Sequence, residues 1–204
     1  MSTKRTTALA VLLLSAGTGA ATQVLPVHPP DQTLPIVQEI VATQAFEERV
    51  NQYVNLHRLL EGPLPPFRPA HDIAPIQAST RALALRIQLA RANAQQGDLI
   101  TPEVGRMFRR HVATCLPADQ WAAILADNAK EEADVRLGPP PTLRVNMEWP
   151  EQVPFGFVPP QLLAALPRLP SELQYRIIGN ALVLWDHHAN LIVDFLPGAF
   201  SAMS

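Results

Sequence analysis

The chain has 204 residues, 16 basic against 18 acidic side chains, and hydrophobic residues at 48%. This is the size of one ordinary domain, with enough apolar content for a substantial core. The near-neutral balance excludes a basic nucleic-acid binder, and a single cysteine, Cys115, excludes an intrachain disulfide.

The first residues follow the order of a processing segment: Lys4 and Arg5, an apolar run from Ala8 to Leu14, then small residues from Ser15 to Ala21. A cleavable signal peptide over 1–21 is the expectation, with cleavage after Ala20 or Ala21. A spanning anchor needs about 20 apolar residues, and Gly17, Gly19, Thr22, Gln23 and Pro26 interrupt this run too early. Removing Lys4 and Arg5 leaves 14 basic against 18 acidic residues. The expected product is therefore a mildly acidic, exported protein, periplasmic or secreted, with no further transmembrane segment.

Residues 22–35 contain Pro26, Pro29, Pro30 and Pro35 and read as an extended lead. A helical half follows over 36–137. In its first helix Phe46, Val50, Tyr53, His57 and Leu60 recur at steps of four and three, and Gly62 and Pro63 stop it. Pro63, Pro65, Pro66 and Pro69 form a stiff connector. A second helix places Ile76, Leu83, Ile87, Ala90 and Ala94 on one face up to Gly97 and pairs antiparallel with the first. Thr101, Pro102 and Glu103 open a third helix with a capping oxygen, a first-turn proline and an acid near the dipole. A short fourth helix runs through Trp121, Ile124 and Leu125.

Residues 138–204 read differently. Leu143, Val145 and Met147 alternate as a short strand would, and a turn of helix fits at Gln161 to Leu166. Three compact β-runs follow at Gln174 to Ile178, Ala181 to Asp186 and Leu191 to Leu196. Gly179-Asn180 accepts the positive φ of a tight hairpin, so the runs form an antiparallel meander. Because so small a sheet is marginal alone, it is expected to pack on the helices as one α+β domain.

Phe46-Glu-Glu-Arg-Val-Asn-Gln-Tyr-Val-Asn-Leu-His57, Gly97 to Arg110, Val158 to Pro170, Leu173 to Gly179 and Ala189-Asn-Leu-Ile-Val-Asp194 together resemble a family of uncharacterised exported bacterial proteins. The resemblance covers most of the chain after residue 21. It implies export and a single-domain layout and brings no catalytic residues. A shorter similarity of the hairpin to small periplasmic proteins, metal-homeostasis proteins among them, is mostly structural.

The sequence lacks Gly-x-Ser-x-Gly, His-Glu-x-x-His, Cys-x-x-Cys and a phosphate-binding glycine loop. Its best polar constellation is Asp186-His187-His188, two imidazoles and a carboxylate at a turn, the donor types a divalent transition metal takes. His71 or Asp72 would complete such a set. His57 reads as a hydrogen-bonded core histidine, and Arg106, Arg109 and Arg110 as a face paired with acids. Asp194 reads as the partner of Arg176 across the meander, with an acidic cluster of Asp186, Asp194 and Glu172 as the alternative. Trp149, Phe155 and Phe157 read as a clamp on the core, and Cys115 as buried and inert.

Three functions remain open at this point. The first is a non-enzymatic envelope protein that binds another protein or polymer and has no cofactor. The second is a metal-binding accessory protein using Asp186, His187 and His188, and the third an enzyme with an unrecognised site.

Overall fold

The computed structural model describes residues 33–64, 73–135 and 141–201. The expected signal peptide and most of the lead lie outside them, as do His71 and Asp72. Five helices precede a three-stranded antiparallel sheet, an α+β arrangement: α1 (Thr33–Glu61), α2 (Ile73–Ala90), α3 (Pro102–Cys115), α4 (Ala118–Val135), α5 (Pro160–Ala165), β1 (Leu173–Ile178), β2 (Ala181–Asp186) and β3 (Leu191–Leu196). No helix among the described residues is long and apolar enough to cross a membrane.

The long helix α1 starts within the expected lead, at Thr33, because a proline in the first turn, here Pro35, removes no intrahelical bond. It turns Ala42, Phe46, Val50, Tyr53, Val54 and His57 inward. Against it α3 buries Val104, Met107, Phe108 and Val112, with Phe46 and Phe108 edge to face at 5.2 Å. Thr101 caps α3 through its hydroxyl, which accepts from the Val104 amide. At Gly105, where α3 meets the end of β3, an added Cβ would stand 2.9 Å from Leu196 Cδ1, so the Leu196 side chain would have to shift. Helix α4 is an 18-residue element rather than a short one, anchored by fully buried Trp121, whose indole N–H donates to the Val112 carbonyl at 2.9 Å.

The sheet order is β1-β2-β3, with Ile178 opposite Ala181 across the Gly179-Asn180 turn and Leu184 opposite Asp194 on the other side. Gly179 has φ +54°, the left-handed region that only glycine enters without steric cost. One sheet face, including Tyr175, Ile177, Leu182, Leu184 and Val193, joins the helices in the main core. The other face, with Val183, Ile192 and Trp185, is covered by Trp149, Val153 and Phe155.

That second layer corrects the expected strand at Leu143 to Met147. The segment lies along β3 with two backbone bonds, Asn146 N–H to the Ile192 carbonyl and Ile192 N–H to the Met147 carbonyl. It pairs only through the isolated bridge of Glu148 with Leu191, because Asn146 turns the backbone at φ +63°. Trp149 and Phe155 stack at 5.4 Å and clamp the segment onto the sheet, as expected, whereas Phe157 stays exposed. Cys115 is half-buried beside the Val112 carbonyl, and burial pushes its thiol pKa up.

Asp194 also departs from its expected partner. The strand β2 lies between β1 and β3, so Arg176 and Asp194 are not neighbours. Arg176 instead bonds Gln174 and lies over the Phe155 and Trp185 rings. The fully buried Asp194 carboxylate accepts from the amides of Gly97, Leu99, Ile100 and Phe195 at 2.8–2.9 Å, fastening the loop between α2 and α3 onto β3. Charge-assisted bonds of this kind contribute more than neutral ones, and orphaned buried amides cost about 1–3 kcal/mol each. Asp194→Asn turns an amino group toward two of these donors. It is expected to destabilise the fold by about 2–4 kcal/mol in urea unfolding, with the m-value unchanged; a loss below about 1 kcal/mol would contradict the loop-anchor role.

Candidate metal centre

The last turn of α1 and the β2–β3 turn meet around one carboxylate. Asp186, the last residue of β2, is completely buried. Its Oδ1 accepts from the backbone amides of His188 (3.0 Å) and Ala189 (2.9 Å), the local bonding by which an aspartate shapes its own turn. Asn190 completes the turn at φ +51°, a conformation asparagine tolerates. The Oδ2 of Asp186 receives the Tyr53 hydroxyl and His57 Nδ1, both at 2.6 Å. Residues 129 and 133 positions away in the chain thus converge on the oxygen that the turn leaves free.

Four donors on one carboxylate define the tautomer of His57. An aspartate oxygen accepts, so the proton of the contact sits on Nδ1, and Nε2 points away from Asp186. There it faces Glu61 Oε2 at 3.3 Å, one helical turn further along α1. The other oxygen of Glu61 lies 3.0 Å from Nδ1 of His188. Ligand atoms of His57, Glu61 and His188 all lie within 4.8 Å of one another. Burial grades outward through the group, from fully enclosed His57 to half-buried Glu61 and His188, which keep side-chain exposures of 34% and 28%.

The electrostatics follow from this arrangement. Burial alone would lower the pKa of His57, but the hydrogen bond and charge of Asp186, with the charges of Glu61 and Glu172, outweigh it and raise the value above the usual 6.5. Burial, aided by Asp186, holds the Tyr53 hydroxyl pKa well above its ordinary value, so it remains a donor. Arg91 lies 5.0 Å over the Tyr53 ring and extends the polar chain toward the Val193 carbonyl.

Of the three residues singled out from sequence, the structure places His188 in the group and Asp186 directly behind it. His187 faces the other way: its Nε2 donates to the Ser171 carbonyl at 2.7 Å. The two rings stay in edge-to-face contact at 4.5 Å, but their nitrogens have different partners, His188 toward Glu61 on α1 and His187 toward Ser171 before β1. His57 matches its expectation as a hydrogen-bonded core histidine, yet its outward nitrogen also contributes to the cluster. Glu61 was not singled out, although the His-x-x-x-Glu spacing puts both side chains on one helix face.

The alternative reading, an acidic cluster, does not form. Asp186, Asp194 and Glu172 enter three separate networks, Glu172 accepting from Arg58 Nε at 2.5 Å. The arginines of α3 are partly paired as expected: Arg106 with Glu103 and Arg110 with Glu39, while Arg109 donates to the Pro197 carbonyl.

Two imidazoles and a carboxylate, the most buried imidazole backed by an aspartate, are suited to a divalent ion of the zinc, copper, nickel or cobalt type. Glu61 reaches the two imidazoles through different oxygens, Oε2 to His57 at 3.3 Å and Oε1 to His188 at 3.0 Å; taken one atom per residue the three donors lie within 4.8 Å and would draw inward to the roughly 3.3 Å donor spacing of a tetrahedral ion. An aspartate behind a ligating histidine fixes the ring and raises its basicity.

The raised pKa of His57 has a consequence for the metal-free protein. Its protonated form is favoured by the fold, so its contribution to stability is complete below about pH 6.5 and is lost as pH rises through the elevated folded-state value. Urea unfolding with chelator present is therefore expected to show stability falling as pH rises above about 6.5. His57→Gln should flatten that slope, and an unchanged slope would contradict the assignment. Comparison with protein-family models, with curated proteins and with solved structures finds no match to this chain.

Proposed function

We propose that this chain is an exported, non-enzymatic metal-binding protein that holds one divalent transition-metal ion through His57, Glu61 and His188. Asp186 serves as the positioning residue behind His57. The observation that carries this reading is the direction of the His57 ring: Asp186 takes Nδ1, and Nε2 is thereby presented to Glu61 beside His188.

The three groups supply two neutral nitrogens and one negative oxygen, leaving room for a fourth ligand from solvent or from a partner. With two of them half-exposed, the ion could enter and leave without unfolding. That favours uptake, buffering or delivery over a closed structural site. Export rests on the composition of residues 1–21. Outside the cytoplasm, a thiol-free N₂O site avoids the oxidation that a cysteine ligand would suffer.

Titration calorimetry with zinc, cobalt, nickel and copper is expected to give one site per chain. Because metal replaces the proton held by His57, the apparent heat should vary with the ionisation enthalpy of the buffer. His57→Ala, Glu61→Ala and His188→Ala should each abolish binding, and Asp186→Asn should weaken it by roughly 10- to 100-fold. His187→Ala should leave it unchanged. No heat above buffer with any of the four ions, or loss on His187→Ala alone, would refute the proposal.

A further inference from the structure

A second feature lies away from the metal cluster, where α1 and α3 run side by side. Glu39 pairs with Arg110 and His111, Thr43 reaches Met107, and Phe46 meets Phe108, so the two helices are antiparallel. Beside this seam is a half-open cavity of about 500 Å³. Its α1 wall is Val37, Val41, Ala45 and Arg49 with Gln38 and Ala42 beside them, and its α3 wall carries Arg106 and Arg110 together with Glu103. Around Val37 and Val41 the helix also exposes Ile36 and Ile40, each of the four more than half accessible. Four aliphatic side chains so exposed on adjacent turns form a patch that a soluble protein normally reserves for a partner.

The distribution of charge decides what kind of partner. From Val37 to Arg49 is a rise of about 18 Å along the helix. Arg110 stands toward one end of the groove and Arg49 at the other, with Arg106 on the α3 wall. A fatty acid carries its charge at one end only and would match one arginine. The groove instead offers an aliphatic floor flanked by positive charge along its length. Glu103 and Glu39 offset part of that charge, but their pairs with Arg106 and Arg110 are solvent-exposed, at 3.1 and 3.4 Å. Such pairs contribute little and exchange readily for an incoming carboxylate. Aliphatic positions repeating every four residues, about 6 Å apart, match the i/i+3/i+4 repeat of another helix.

We propose that the α1–α3 groove is a docking site for an acidic amphipathic helix of a partner protein. Its apolar face would lie on Val37, Val41 and Ala45, and its Glu or Asp side chains would reach Arg49, Arg106 and Arg110. The site is separate from His57, Glu61 and His188, and docking does not depend on metal.

Fluorescence anisotropy of the full chain with a labelled 18-residue helical probe peptide tests this; the probe has leucines at i/i+4 positions and glutamates along one flank. The expected result is saturable binding that weakens with salt. Exchanging the glutamates for lysines should abolish it. Arg106→Glu with Arg110→Glu should weaken it by at least about tenfold, as should Val41→Asp, while reversal of exposed Arg81 on α2 has no effect. Circular dichroism of each variant verifies the fold. Equal affinity for the lysine peptide, insensitivity to the Arg106/Arg110 reversal, or binding of oleate but not of the peptide would overturn the proposal. So would sedimentation showing that the groove is filled by a second copy of the chain.

Discussion

The Asp186 carboxylate is the contact on which the arrangement of this protein depends. Buried without access to water, it must have every lone pair answered. Two answers come from its own turn and two from α1, through Tyr53 and His57. Removing any one donor leaves part of a buried carboxylate unanswered. The sheet is thereby held in one position against the longest helix, and the orientation of His57 follows from that constraint.

Asp194 plays the corresponding role on the next strand. Its four amide donors lock the loop between α2 and α3, while Asp186 locks the end of α1. Two carboxylates on two neighbouring strands therefore organise both connections that face the sheet, and the apolar core fills the space between. Bonds to buried carboxylates are directional where hydrophobic contacts are not. The direction matters most at His57, where a ring turned by the wrong nitrogen would present nothing to Glu61.

Features governed by local chemistry were legible in the sequence. The Gly179-Asn180 hairpin, the Thr101-Pro102 start of α3 and the inward stripe of α1 depend on neighbours within a few residues. Contacts across the chain were not. Nothing local links His57 to Asp186, and pairing Arg176 with Asp194 failed because it assumed adjacent strands when β2 intervenes. The His187-His188 pair shows the same limit at one position: residue type indicated a metal-ligand composition, but only the fold decides which ring faces α1. Glu61 carried a signal too, the four-residue step from His57, but it becomes meaningful only once the β2–β3 turn is known to arrive there. The segment from Leu143 to Met147 had alternation but lacked a full ladder, and Asn146 redirected it.

In the proposed function, the buried Asp186 contact turns one nitrogen of His57 toward a metal shared with Glu61 and His188. The most direct measurement is nitrogen-15 NMR of the imidazole rings during zinc titration of the metal-free protein. His57 Nε2 and one nitrogen of His188 are expected to move to metal-bound shifts while His57 Nδ1 keeps its proton and His187 is undisturbed. Zinc-bound shifts on His187, or no change at His57, would contradict it.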